Sequence, residues 1–332
     1  MNRLIAGHGD KLSLLLELLE DDYARGVTVI DPTGELARAA GNRIPPRLVK
    51  QTIYFNPADI GHPLPFNVLS DITDTHAFVE HFLAMFAVIY PEGSNTLTRL
   101  YADDILLVAL KRLLAEEGQT LLGVQQLLKD MTFRKQFPDD YKPGFAFLNA
   151  KFNLIFSNPT TRNLVGQRGC FDAPIIMANL DRRALGDLTA RFLGHLLLAR
   201  SQGTVYIHDL PFFARKSDGL ASLLPQDRFT VSINSLRQVS DAMQDGLLGI
   251  GGPYIFRTNS SDAENYALGL GLLNPRALTE LDYYEYRTAQ GLFKTEPPPS
   301  RKRLHALKKR TRSQTLPKRK VEKLVERYLE SS

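Results

Sequence analysis

The stretch RLIAGHGDKLSLLLELLEDDYARGVTVIDPTGEL, residues 3 to 36, decides how the rest of the chain is read. Residues 3–9 read as a short buried strand running into a glycine-bearing loop. From Lys11 onward the apolar positions Leu12, Leu15, Leu16 and Leu19 fall at helical spacing, so 11–25 is expected to be a helix. GVTVIDPTGEL then supplies a second strand, stopped by Asp31, Pro32 and Gly34. Strand, loop, helix and strand in this order form a βαβ unit, which favours a parallel sheet with helices on its faces.

The rhythm continues outward. QTIYFNP is a third strand, and from about 75 to 150 the pattern turns helical in HAFVEHFLAMFAVIY, TRLYADDILLVALKRLLAEEG and TLLGVQQLLKD, separated by Pro91, Gly93 and Gly118. Strand-like runs return at APIIMANL, GTVYIHDL, RFTVSINS and GPYIFRT, with the apolar helix LTARFLGHLLLAR between the first two. The expected organisation is therefore a first half of an α/β core over 1–74, an all-helical insertion over 75–150, the second half of the core over 151–290, and a last segment over 291–332. In that segment EPPPSRKR marks a linker by its prolines and cations. Beyond Pro317, Val321, Leu324, Val325, Tyr328 and Leu329 recur at helical spacing, an amphipathic helix expected to dock on a neighbouring protein. The chain has no internal repeat.

Composition bounds the function. A chain of 332 residues with 43% hydrophobic residues buries a real core. The single Cys170, in GQRGCFDAP, forms no internal disulfide and no multi-cysteine metal site, which points to a reducing, cytoplasmic setting and a buried structural thiol. The longest apolar helical stretch, HAFVEHFLAMFAVIY, is too short for a bilayer span and is interrupted by Glu80 and His81; the N-terminus lacks a signal-peptide pattern, so no membrane insertion is expected. His76, Glu80 and His81 do not have the spacing that places two histidines on one helical face, so they read as ordinary helix residues, and no resident metal is expected. Net charge is uneven: residues 301 to 332 hold twelve Lys or Arg against three Glu, a +9 segment in a +5 chain, which leaves −4 for the body. A mildly acidic globule with a basic end is suited to an anionic partner there.

The opening loop is close to a phosphate-binding loop, GxxxxGK[ST], in which glycines admit phosphate to backbone N–H groups, lysine neutralises the terminal phosphates and Ser or Thr ligates magnesium. With Lys11 on the motif's lysine, Asp10 stands where the last glycine belongs, Ile5 where the first belongs and Leu12 where the hydroxyl belongs. Asp10 brings a carboxylate toward phosphate oxygens, where repulsion is poorly screened. Leu12 offers a metal no oxygen. The strand expected to carry the partner acidic pair, TVYIHDLPFFA, ends in His208 and Asp209, and a neutral imidazole does not replace a hard carboxylate beside Mg²⁺. Both halves of one site have changed together.

With both half-sites placed, residues 3 to 290 resemble the FtsK–HerA superfamily of DNA-pumping motor ATPases, most of all the coupling-protein branch that feeds DNA into type IV secretion and conjugation. VIDPTGEL, TIYFNP and PFNVL match that branch's DPxG-like element, its next strand and its PFNxL turn. The stretch from 101 to 134 is similar to its all-α insertion. IIMANLDRRALGDLTARFLGHLLLAR is similar to its strand, turn and long apolar helix. The segment 231–267 is similar to a later part of the branch, in which a polar residue ends one strand near the nucleotide and FR ends another ahead of a helix; Asn234 stands where the family places a glutamine sensing the terminal phosphate. The resemblance implies a P-loop, RecA/HerA-like α/β fold, mostly parallel, with an all-helical insertion; it implies hexameric rings around DNA, hence self-association or pairing with a homologous ATPase.

The expectation is a pseudo-ATPase: no catalytic residues, no ATP or Mg²⁺ as cofactor, and a degenerate nucleotide site marked by Lys11, Asp209 and Asn234. DNA is the expected partner of the basic tail, through Arg301, Lys302, Arg303, Lys308, Lys309, Arg310, Arg312, Lys318, Arg319 and Lys320, with phosphate contact rather than base stacking because no aromatic interleaves them before Tyr328. Two alternatives stay open: an active DNA-translocating ATPase with atypical motifs, to which ATP and Mg²⁺ belong, and a protein-interaction adaptor of a homologous ATPase.

Overall fold

The computed structural model describes residues 2–90, 96–201, 203–214, 228–297 and 302–330. They divide into two compact units, Met1–Phe55 with Ala173–Arg183 and Ser201–Lys309, and Asn56–Asp172 with Ala184–Arg200 and Arg310–Ser332.

The first unit is built on a nine-stranded sheet. Its strands are β1 (Arg3–Ala6), β2 (Val27–Asp31), β3 (Thr52–Phe55), β4 (Ile175–Asn179), β5 (Thr204–Ile207), β6 (Phe229–Ile233), β7 (Tyr254–Ile255), β8 (Glu285–Thr288) and β9 (Gly291–Lys294), in the spatial order β3-β4-β2-β5-β6-β1-β7-β8-β9. From β3 to β7 every pairing is parallel; β8 and β9 close one edge as an antiparallel hairpin. Strands β2, β3, β5 and β6 are buried at every residue, as strands covered on both faces must be; β3 and β5 are apolar after an opening threonine, and β2 and β6 place Thr or Ser among Val, Ile and Phe. Helix α1 (Lys11–Asp22) follows β1, burying Leu14, Leu15, Leu16, Leu18 and Leu19; helix α2 (Glu35–Arg43) follows β2 and packs Leu36, Ala37 and Ala40 into the same core. At the far end of the sheet Asp22 accepts from Arg3 at 2.5 Å and from the Tyr206 hydroxyl at 2.8 Å. Burial opposes that charge, and Arg3 with Tyr206 still hold the carboxyl below its ordinary range. The hairpin β8–β9 crosses residue 290, where the sequence reading ends the core and begins the last segment: an aromatic ladder, Tyr254 on Tyr286 and Tyr286 on Phe293, continues the sheet.

The second unit is helical. Helices Thr75–Ile89, Thr96–Leu114 and Lys142–Phe156 pack around stacked rings, with Phe86 on Phe152 at 5.4 Å between centroids, and Phe156 meets Phe192 of the helix Asp187–Arg200. Asn67 of the PFNVL turn donates to the carbonyls of Gln119 and Arg168, so this polar side chain ties separate parts of the unit together.

Residues 298–301 of the expected linker EPPPSRKR lie outside the described residues. Beyond it Leu304–Ser313 is a helix, anchored by the fully buried Leu307. The terminal helix, Lys318–Glu330, has the expected apolar face, most of which is covered within its own unit, while Leu324 is exposed. Val321, Val325 and Tyr328 are buried, and the Tyr328 hydroxyl donates to Gln119 Oε1 at 2.6 Å while accepting from the Thr120 amide at 3.2 Å. Replacing Tyr328→Phe removes both bonds and leaves the Thr120 amide unpaired, which is expected to cost about 1–2 kcal/mol. Hydrogen exchange checks it: the Thr120 amide should exchange about tenfold or more faster, and an unchanged rate would mean that this anchor does not hold the helix.

Candidate functional site

The carboxyl edge of four adjacent parallel strands, β2, β5, β6 and β1, is where an open α/β sheet places its ligand crevice. Here that edge gathers Asp31 at the end of β2, His208 and Asp209 after β5, Asn234 after β6, and Lys11 after β1. Lys11, Asp209 and Asn234, separated by up to 223 residues, are thereby brought into one cluster. Lys11 Nζ donates to the Ile233 carbonyl at 3.0 Å and to Asn234 Oδ1 through a very short contact. Burial pushes the Lys11 ammonium down to about 8 from 10.5, with the Asp209 carboxylate pulling the other way.

The loop between β1 and α1 is closed by the chain itself. The His8 amide donates to the Arg257 carbonyl at 2.7 Å, the Asp10 amide to the Tyr283 carbonyl at 2.9 Å and the Lys11 amide to the Gly9 carbonyl at 2.8 Å. Gly7, at φ +93°, and Gly9 serve this closure. A Cβ on Gly7 would lie 2.6 Å from the Phe256 carbonyl oxygen, and one on Gly9 would lie 2.3 Å from the Phe256 ring and 2.7 Å from the Tyr283 carbonyl oxygen. The glycines thus admit the chain's own backbone.

Asp10 sits at the N-terminus of α1. Its Oδ1 accepts from the Ser13 amide at 3.2 Å, an N-cap, and its Oδ2 accepts from the Thr295 hydroxyl at 3.1 Å. Helix N-termini attract anions through free N–H groups and the helix dipole, and here the anion is a side chain. Tyr283 and Thr295 flank the hairpin β8–β9, which is clamped at its base by the Thr295 amide donating to the Tyr284 carbonyl at 2.8 Å.

The second half-site is also internally engaged. Ser232 Oγ accepts from the Asp209 amide at 3.0 Å and lies 3.0 Å from His208 Nδ1. Asp209 adopts φ 54°, a left-handed conformation that Asp and Asn tolerate better than most residues. Burial lowers the His208 imidazole, against the pull of the Asp31 and Asp209 carboxylates, so the ring is neutral at neutral pH. Asp31, the acid of the DPxG-like element, accepts from the Thr33 amide and hydroxyl and from the Ala37 amide at 2.8–2.9 Å, fixing the entry to α2. Ser232, Tyr283 and Thr295 were not legible as site residues, because their roles come from hydrogen bonds across 23 to 285 residues of chain.

Other candidates are placed as follows. His76 and Glu80 form an exposed pair at 3.4 Å, while burial drops His81 to about 4. Cys170 is partly buried, and burial raises its thiol to about 11, unsuited to nucleophilic work. Among the described residues no group of His, Cys, Asp and Glu has a metal-binding arrangement, and no helix is long and apolar enough to cross a membrane.

The ten tail cations are split. Arg301 lies outside the described residues. Arg303 donates to the Ile44 carbonyl at 2.9 Å and Lys308 lies over the Tyr54 ring, both within the first unit. Arg312 pairs with Asp59 at 2.7 Å and Lys318 with Glu322 at 3.7 Å, within the second. Lys302, Lys309, Arg319 and Lys320 are exposed, and Arg310 is half-buried.

No protein-family model matches the sequence, and no curated protein matches it. Solved structures do match the fold. The bacterial conjugative coupling protein TrwBΔN70, in an unbound monoclinic form, superposes with TM-score 0.62 at 14% identity over 91% of this chain and 87% of that one. Plasmid coupling protein TrwB in complex with ADP and Mg²⁺ gives 0.64 at 13% identity over 91% and 86%. VirB4 of Thermoanaerobacter pseudethanolicus gives 0.61 at 12% identity over 90% of each chain. The chain therefore has the P-loop α/β fold of conjugative coupling proteins, as the sequence motifs imply, and at these identities the likeness is one of fold.

The Lys11 environment carries a pH signature. The folded chain releases the Lys11 proton near pH 8 and the unfolded chain near 10.5, so the unfolded state binds more protons between these values and stability rises with pH across that window. Below about 8 the full cost of the buried charge is present. Acetylation of the full chain across a pH series, with site-resolved mass spectrometry, should give a Lys11 midpoint near 8; a midpoint at the ordinary lysine value would refute the burial described for it.

Proposed function

We propose that the chain is a catalytically degenerate coupling-protein-like P-loop protein, a DNA-associated or assembly subunit that works beside other proteins rather than as a motor. One observation carries the proposal: the loop that holds phosphate in P-loop proteins spends its His8, Asp10 and Lys11 amides on the chain's own carbonyls, and Asp10 puts a carboxylate at the N-terminus of α1.

The residues present do not fit a magnesium-bound nucleoside triphosphate. A phosphate approaching α1 meets the Asp10 carboxylate, repelled across a poorly screened gap. Leu12 stands where a hydroxyl would ligate the metal, and His208, neutral and bonded to Ser232, stands where a carboxylate would support it. Lys11 is turned onto Ile233 and Asn234. Plasmid TrwB of the same fold holds ADP and Mg²⁺, so the framework is compatible with a nucleotide and the objection lies in these side chains.

Self-association, or pairing with a homologous ATPase of a conjugation or type IV secretion apparatus, belongs to the same proposal, as does DNA contact through the basic tail. The second reading, an active motor with atypical motifs, draws on the convergence of Lys11, Asp209 and Asn234 at one edge. Purified chain is expected to show no Mg²⁺-dependent ATP turnover and no heat of binding for an ATP analogue with or without Mg²⁺. Turnover that disappears in Lys11→Ala would replace the first reading by the second.

A further inference from the structure

The terminal helix Lys318–Glu330 presents two opposed faces. Val321, Val325 and Tyr328 lie inward, at 0%, 1% and 6% exposure. Each residue of an α-helix turns about 100°, so Arg319, Lys320, Lys323 and Arg327 share an outward arc of about 100° centred opposite that buried seam. All four are exposed. Lys318 is drawn to Glu322 at the margin, Glu326 lies beside the arc, and Glu330 falls within it at its C-terminal end. Of these four cations, Lys323 and Arg327 lie outside the ten tail residues named from sequence as DNA contacts.

From this arrangement we infer that the outward stripe Arg319, Lys320, Lys323 and Arg327 is a docking surface for the phosphate backbone of double-stranded DNA. The inference rests on the proposed contact of the tail with DNA and assigns it to one face. Along the helix axis the stripe is about 12 Å long, a length over which duplex DNA presents about seven phosphate charges, so four cations fit without forcing. A basic amphipathic helix also suits an anionic membrane surface, but that binding inserts the apolar face, and here Val321, Val325 and Tyr328 of that face are packed inside the unit, leaving Leu324 as its one exposed large apolar residue. Single strands are gripped by aromatic stacking, and the one aromatic of the helix, Tyr328, is turned inward onto Gln119 and Thr120. The regular row of phosphates on a duplex is an anion that a stripe of cations grips without base stacking or an inserted apolar face. Arg303, Lys308, Arg312 and Lys318 have intramolecular partners and do not belong to this surface.

The test uses the full chain and a fluorescent mixed-sequence duplex, with anisotropy read over a salt series. The triple variant Arg319→Gln, Lys323→Gln, Arg327→Gln keeps helix propensity and the buried seam. It is expected to bind roughly tenfold or more weakly near 0.1 M salt, with a log–log salt slope flatter by about 2.7. The pair Lys302→Gln, Lys309→Gln should leave affinity within about threefold, a smaller loss of phosphate contact. Circular dichroism and Thr120 amide protection confirm that the triple variant keeps its fold. If the wild-type chain binds duplex and the triple variant matches it, this assignment is overturned while the proposed DNA contact stands. A wild-type chain that binds no duplex overturns both. A stripe that serves anionic vesicles or an acidic protein in place of duplex, shown by loss of only that binding in the triple variant, also overturns it.

Discussion

The Asp10 carboxylate is the contact on which the rest of the site depends. The start of α1 offers unpaired N–H groups and the positive end of a helix dipole, which an acceptor satisfies and a negative one satisfies best. In this chain a tethered side chain does so, bonded to the Ser13 amide on one oxygen and the Thr295 hydroxyl on the other. A tethered carboxylate faces no association entropy, whereas a diffusing phosphate does. The same residue lends its amide to Tyr283, so the loop, the helix start and the hairpin β8–β9 are fastened at one point. Gly7 and Gly9 are required by that fastening, since side chains there would strike the backbone that covers the loop.

Around this point the charged groups of the sheet edge are arranged to satisfy one another. Lys11 is held by the Ile233 carbonyl and the Asn234 side chain and attracted by Asp209; Ser232 receives the Asp209 amide and meets the His208 ring. Asp31 spends its oxygens on α2. Such networks fix a single geometry, because in a low-dielectric edge each lost partner leaves a polar group unpaired. The proposed loss of triphosphate chemistry fits this arrangement, in which groups at motor positions hold the fold together instead.

The basic end of the chain shows the same division between serving the fold and facing outward. Arg303 and Arg312 work as hydrogen-bonding anchors of their own units, and Lys308 covers an aromatic ring. Formal charge counts these cations equally with Lys323 and Arg327, although their intramolecular partners already use part of what they offer a phosphate. A charge run alone does not separate these two groups of cations.

The sequence by itself determined the fold class, the strand order along the chain and the altered loop. Short Val- and Ile-bearing runs at 27–31 and 204–207, helical leucine spacing at 12–19 and the PFNVL turn are local signals, written within one or two turns of chain. It also determined that the terminal helix is amphipathic, since periodicity needs no partner to be visible. Tertiary structure alone decided what covers that helix, where Asp10 turns its carboxylate, and which cations remain outward. It also decided that residues 304–313 form a helix and that the sheet continues through 285–294. Each of these is set by a contact with residues distant in sequence: Thr295 for Asp10, Gln119 for Tyr328, Asp59 for Arg312. Hydrogen bonds and ion pairs of that reach leave no periodic trace in the chain, because their partners are chosen by the folded geometry and not by spacing.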